Sequence, residues 1–208
     1  YYEMVSVTFD NRIMVRRASE HINGRISYRQ IRNYTIHRIE DTDVMGTCKI
    51  CNNIKIQYQF ADFSVKTPGY WKMKKYNDFK NGVLIEINGV PDRDYHHKQI
   101  LKLDFSAFGD AFSDTIRNTL TVLMNEVFAT LFAENHPFIS AVTPGNYDIP
   151  KTYGLEIEDG ANEKCIYIIE DSQLDIGLLI AVERNLNRVF QIISDYLSWN
   201  EEQIAESL

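Results

Sequence analysis

Residues 165–169, Cys-Ile-Tyr-Ile-Ile, constrain this chain more than any other stretch. A short apolar run rich in β-branched residues reads as a strand buried on both faces. Such a strand needs further strands beside it and another layer over it. One layer follows at once. Beyond the acidic, turn-prone residues 170–177, Leu178, Val182, Leu186, Val189, Ile193 and Tyr196 fall on one helical stripe, with Glu183, Arg184, Arg188, Gln191 and Asp195 largely away from it. Asp171 or Ser172 is expected to cap that helix, and Asp175 to complement the positive end of its dipole. The turn sits just beyond a strand's carboxyl end, a place where α/β proteins often hold ligands.

Upstream, residues 3–9 and 12–17 alternate as strands around a hairpin at Asp10-Asn11. After a turn at Asn23-Gly24, residues 26–40 read as a long, half-buried strand with a bend or bulge near Arg32-Asn33. Residues 41–53 read as a loop, and 53–60 as a strand with Ile54, Ile56, Tyr58 and Phe60 on one face. Residues 65–80 read as a connection broken at Pro68-Gly69, and 83–87 and 99–105 as strands joined by a loop at 89–97. A helix begins after the N-cap Ser113, carries Ile116, Leu120, Leu123, Met124, Val127, Phe128 and Leu131 on its stripe, and ends near Asn135, before His136-Pro137. A loop at 137–151 and a strand at 152–158 complete the chain. The expected fold class is α+β: a β-rich, mainly antiparallel amino half (1–110), then two long helices flanking a short strand pair (111–208). No linker of flexible composition separates the halves, so 1–208 reads as a single domain.

The 208 residues suffice for a sizeable core, and no apolar run approaches the roughly 20 residues of a membrane span. Three cysteines, an odd number, argue against a secreted disulfide framework and for a reducing, cytoplasmic setting. The chain opens with Tyr1-Tyr2 rather than Met and reads as a piece of a longer protein. Its net charge of −7 is unevenly spread: residues 1–80 hold 14 Lys/Arg against 8 Asp/Glu, and residues 81–208 hold 8 against 21. A basic amino half suits an anionic partner, whereas the acidic half suits solvent or a basic neighbour.

Three clusters carry candidate chemistry. Residues 66–80 interleave Lys66, Lys72, Lys74, Lys75 and Lys80 with Tyr70, Trp71, Tyr76 and Phe79. Lysines contact phosphates and aromatic rings stack on the bases of a single strand, although rings that plug a core between solvated lysines give the same pattern. Cys48 and Cys51 have the C-x-x-C spacing of half a tetrahedral zinc site; Cys165, His96, His97 and His136 offer no second matched pair. Glu156, Glu158, Asp159, Glu170, Asp171 and Asp175 gather near two strand ends, where carboxylates either hold a divalent metal for phosphodiester hydrolysis or serve as helix caps. No Gly-rich phosphate loop, nucleophile elbow or H-E-x-x-H occurs.

The order of elements around residues 166–179, with Asp171, Asp175 and Gly177 at its turn, resembles the uncharacterised C-terminal domain appended to bacterial DEAD/DEAH-box helicase-like proteins, among them repair and phage-defence helicases. In that family an apolar strand ends in a D-x-x-G-G-x-G-like turn that opens the last helix; this chain has Gln173-Leu174-Asp175 where glycines are usual. Many members bind zinc through four cysteines near the C-terminus, a cluster this chain lacks. The resemblance implies a noncatalytic accessory domain that binds nucleic acid, single strands above all, or docks on the motor or a partner subunit, with ATP used only by a motor upstream. The alternatives from the residues themselves are a metal-dependent nuclease and a pure protein-interaction module.

Overall fold

The run at 165–169 is an interior strand in the structure, a computed structural model that describes residues 2–7, 13–17, 27–40, 49–51, 53–74, 79–132, 135–146, 153–157 and 164–207. In chain order the strands are β1 (Tyr2–Val7), β2 (Ile13–Arg17), β3 (Ser27–Glu40), β4 (Lys49–Cys51), β5 (Ile54–Met73), β6 (Val83–Glu86), β7 (Arg93–Asp104), β8 (Ile139–Val142), β9 (Gly145–Asn146), β10 (Tyr153–Ile157) and β11 (Cys165–Glu170). The helices are α1 (Asp114–Leu131) and α2 (Leu178–Ser207). The architecture is α+β, with an antiparallel β-rich amino half followed by helices with strands between them. Contacts divide the chain into two units, Tyr1–Arg32 with Thr67–Val90, and Asn33–Lys66 with Pro91–Leu208.

In the larger unit the strands run in the order β8-β11-β7-β5-β3-β10-β9, and β4 pairs the start of β5. Register explains its core. Tyr58, Leu101, Ile168 and Ala141 lie directly opposite one another across β5, β7, β11 and β8, and Ile56, Leu103 and Ile166 form the next row. Period-two alternation turns these rows to one face, which α1 covers with Met124, Val127 and Phe128, and α2 with Leu178, Leu179, Val182, Leu186, Val189 and Ile193. The other face carries Tyr34, Ile36, Phe63, Val65, Ile100, Tyr167 and Ile169 in a second core. β10 comes back against β8, so the sheet curls round that second core. Cys165 to Ile169 are all at 0% exposure, and each buried isoleucine contributes roughly 2 kcal/mol.

Several elements differ from the sequence expectation. β8 is a fully buried strand within the stretch read as loop; four residues between prolines are too few to show a period. β7 starts at Arg93 rather than Gln99, because only Tyr95 among its first residues is buried and marks the strand. Opposite it, the register shifts between Ala61 and Phe63, with His97 at φ +49° and its N–H donated to Asp62 Oδ1 at 2.7 Å, the geometry of a bulge. α1 ends at Leu131, short of Asn135, although its cap is as expected, with Ser113 Oγ accepting from Ile116 N. On α1 Ile116 is 50% exposed and Arg117 is buried, held to the Pro144 carbonyl at 3.2 Å. On α2 Tyr196, expected on the stripe, is half exposed.

The buried Asn125 of α1 explains how β8 ends the sheet. Its Nδ2 donates to the Ala141 carbonyl at 2.7 Å and its Oδ1 accepts from Ala141 N at 2.9 Å. One side-chain amide thus satisfies both backbone groups of Ala141, which a further strand would otherwise pair.

In the smaller unit β1 and β2 form an antiparallel hairpin with a register shift between Met4 and Ser6. The end of β5 pairs β6, from Gly69↔Glu86 to Lys72↔Val83. β5 therefore runs on through Pro68-Gly69, where a break was expected. β7 accompanies β5 only as far as Val65↔Arg93 and β6 takes over at Gly69, so Pro68 falls at the change of partner, where its missing N–H forfeits a single ladder bond. The Pro68 carbonyl still accepts from Ile87 N at 2.9 Å. Gly69 is required by this pairing, since a Cβ there would run into the backbone of Ile85 and lie 3.2 Å from Glu86 Cα.

Candidate nucleic-acid interface

The residues read as a basic aromatic connection are a strand as far as Met73, and that changes which of them act together. Period two sends Tyr70 and Lys72 to one face at a step of about 6.6 Å, and Trp71 to the opposite face with Gly69 and the buried Met73; Lys74 lies at the bend just past the end of the strand. Cross-strand pairing puts Ile85 and Val83 beside Tyr70 and Lys72, and Leu84 beside Trp71. Lys74 is exposed, Tyr70, Trp71 and Lys72 are half-buried, and Val83 and Leu84 of β6 are 58% and 42% exposed. Lys66, also exposed, is the last β5 residue of the larger unit. Lys75 lies outside the described residues.

Charge follows the units more sharply than the halves of the sequence. The smaller unit holds 10 Lys/Arg and 5 Asp/Glu, and the larger 12 and 24, balances of +5 and −12. The lysine face of β5 therefore belongs to the positively charged unit.

The carboxylates beyond β11 are arranged for structure. Glu170, 3% exposed, accepts from Ile176 N at 2.6 Å through Oε1 and from Leu178 N at 2.9 Å through Oε2, and Ser172 Oγ lies 2.8 Å from Oε1. Glu170 therefore caps α2, the role expected of Asp171 or Ser172. Its longer side chain reaches the helix N-terminus from the strand while its backbone stays in the sheet. Asp171 instead accepts from Arg93 Nη2 at 3.0 Å, has Tyr34 Oη 3.5 Å from Oδ2, and offers its carbonyl to Tyr95 Oη. Asp175, expected to complement the helix dipole, pairs with Lys98 Nζ at 2.5 Å. Gly177, at φ +82°, supplies the left-handed step that starts α2. Of the other candidates, Glu156 lies on β10 and its side chain is not described, and Glu158 and Asp159 lie outside the described residues.

The thiols give no metal cage that can be drawn. Cys48 lies outside the described residues, and Cys51 is described only as a backbone position paired with Ile54. Asn53, at φ +67°, provides the tight return between β4 and β5. Among the described residues, no group of three His, Cys, Asp or Glu side chains is placed to hold a metal ion. Cys165 is buried in β11, where burial, opposed by Lys102 and assisted by Asp104, pushes its thiol up to about 12. A thiol so placed is inert core filling. His96 and His97 are exposed beside Asp62 and Glu40, with His97 stacked on Phe60 at 3.8 Å. The His136 side chain is not described. No described helix is long and apolar enough to cross a membrane.

No protein-family model matches the chain, and no curated protein matches it. Among solved structures it is similar to one described as the crystal structure of a DUF1998 helicase, MrfA, bound to DNA, at 12% identity and a TM-score of 0.41. The match covers 92% of this chain and 23% of that one, so the chain spans about a quarter of that helicase. At this similarity the match adds no weight to a functional assignment.

Proposed function

We propose that this chain is a noncatalytic accessory domain of a helicase-like, nucleic-acid-handling protein, and that the β5 face bearing Tyr70 and Lys72, with Lys74 just beyond it, touches a single strand. The observation that carries this reading is Tyr70 and Lys72 on one face of β5, followed at once by the exposed Lys74, within a unit of charge +5. Lysines neutralise phosphates whatever the sequence, and a tyrosine beside them offers a ring for a base. The acidic unit is the part suited to dock on a motor or partner subunit, and ATP belongs to that motor. Zinc at Cys48 and Cys51 stays part of the proposal and is tested by metal analysis of the purified protein. The nuclease alternative draws no support from the turn after β11, where Glu170 is engaged by backbone N–H groups, Asp171 by Arg93 and Asp175 by Lys98.

Filter binding to single-stranded DNA at two salt concentrations tests the strand-binding role. Affinity is expected to fall as salt rises, and to fall again when Lys72, Lys74 and Lys75 become Glu. Affinity indifferent to both changes rules the role out. Plasmid cleavage in magnesium or manganese that is lost in Asp171→Ala would restore the nuclease reading.

A further inference from the structure

A second surface, in the larger unit and independent of the lysine face, lies where the β11 turn enters α2. Leu174 is 77% exposed, Ile176 50% and Ile180 40%. They do not sit on a loose loop. Glu170 holds Ile176 N, Ser172 Oγ is 2.5 Å from the Leu174 carbonyl, and Lys98 Nζ reaches the Gln173 carbonyl at 3.5 Å and Asp175 at 2.5 Å. An apolar tip fixed from three sides gives up little freedom when it is covered.

The charges beside this tip define what would cover it. Both nearby carboxylates are engaged within the chain, Asp175 by Lys98 and Glu183 by Tyr58 Oη at 2.9 Å. Arg184 and Arg188 continue the exposed side of α2 from Ile180 at i+4 and i+8, at steps of about 6 Å. Neither makes an ion pair or hydrogen bond among the described residues, although their unit carries twice as many acids as bases. Arginine beside exposed aliphatic side chains is the composition of a protein interface; a phosphate backbone offers nothing to cover the isoleucines.

We propose that Leu174, Ile176, Ile180, Arg184 and Arg188 form a docking surface for a protein partner that presents an apolar helix face flanked by carboxylates. The probe is a synthetic amphipathic helix with leucines at i, i+4 and i+7 and glutamates beside them, titrated by fluorescence anisotropy against the full 208-residue chain. A second peptide has lysines in place of the glutamates. The glutamate peptide is expected to bind and the lysine peptide not. Arg184→Glu with Arg188→Glu, and separately Leu174→Ser, is expected to weaken binding by about tenfold with the thermal midpoint unchanged. Equal binding of both peptides, no binding of either, or unaltered binding by the variants overturns the proposal. So does loss of single-stranded DNA binding in the arginine variant with peptide binding intact, which would make the face a nucleic-acid contact. Self-association abolished by Leu174→Ser also overturns it, by making the occupant a second copy.

Discussion

The turn after β11 and the last third of β5 are both dense in charge, but their charges have different destinations. At the turn, Glu170 is 3% exposed and answered by two backbone N–H groups, and Asp171, 1% exposed, is answered by Arg93. At the end of β5, Lys72 is half-buried beside a strand whose valine and leucine are exposed, and Lys74, just past the strand, is exposed as well. Polar groups turned inward and satisfied by the chain hold a shape, whereas side chains that reach the surface stay within reach of another molecule. Density of charge does not separate the two cases; burial does.

The largest expected effect breaks the inward side. Glu170→Ala strands the buried Leu178 N–H and the part-buried Ile176 N–H and should lower unfolding stability by about 3 kcal/mol in urea denaturation, with little change in strand binding beyond that from unfolding. Glu170→Gln keeps the size and one acceptor and should cost roughly half as much. The next effect belongs to the outward side: Lys72→Glu with Lys74→Glu should weaken single-stranded DNA binding about tenfold, with the urea midpoint nearly unchanged. Each phosphate contact removed should also flatten the salt dependence by about 0.7 in log–log slope. Equal stability losses in the Glu170 and lysine variants would erase the comparison. Lys98→Met should cost less than about 1 kcal/mol, because Asp175 is largely exposed.

The smallest effect concerns the other end of β11. The Cys165 thiol is pushed up to about 12 from an ordinary value of 9.0, so between those pH values the native state binds the proton that the unfolded chain releases. That contribution to stability is complete below about pH 9 and declines as pH rises toward 12. Urea midpoints at pH 7 and pH 10 should therefore differ less in Cys165→Ala than in the parent chain.

Where one period covers many residues, the elements could be read from the chain. The buried run at 165–169, the stripe of α2 from Leu178 to Ile193 and the Ser113 cap all rest on local pattern, and the structure has them. β8 and the start of β7 could not be read, because their strand state comes from neighbours such as Ile168 and Phe63 rather than from their own sequence. The candidate face was visible as composition only. Residues 66–75 showed lysine and aromatic content, but Trp71 separates from Tyr70 and Lys72 only once β5 is known to continue past Pro68. The role of Glu170 was hidden because it is a tertiary bond, formed by a strand residue eight positions before the amide it holds.

The amide of Asn125 has a consequence for how copies of this protein meet. A sheet margin with free donors and acceptors is a template on which a second chain can lay its own strand, and many such additions make a fibre. Here a helix closes the margin at Ala141 with one planar group. An apolar residue at 125 would leave both Ala141 backbone groups unanswered at that seam, within reach of a strand from another copy.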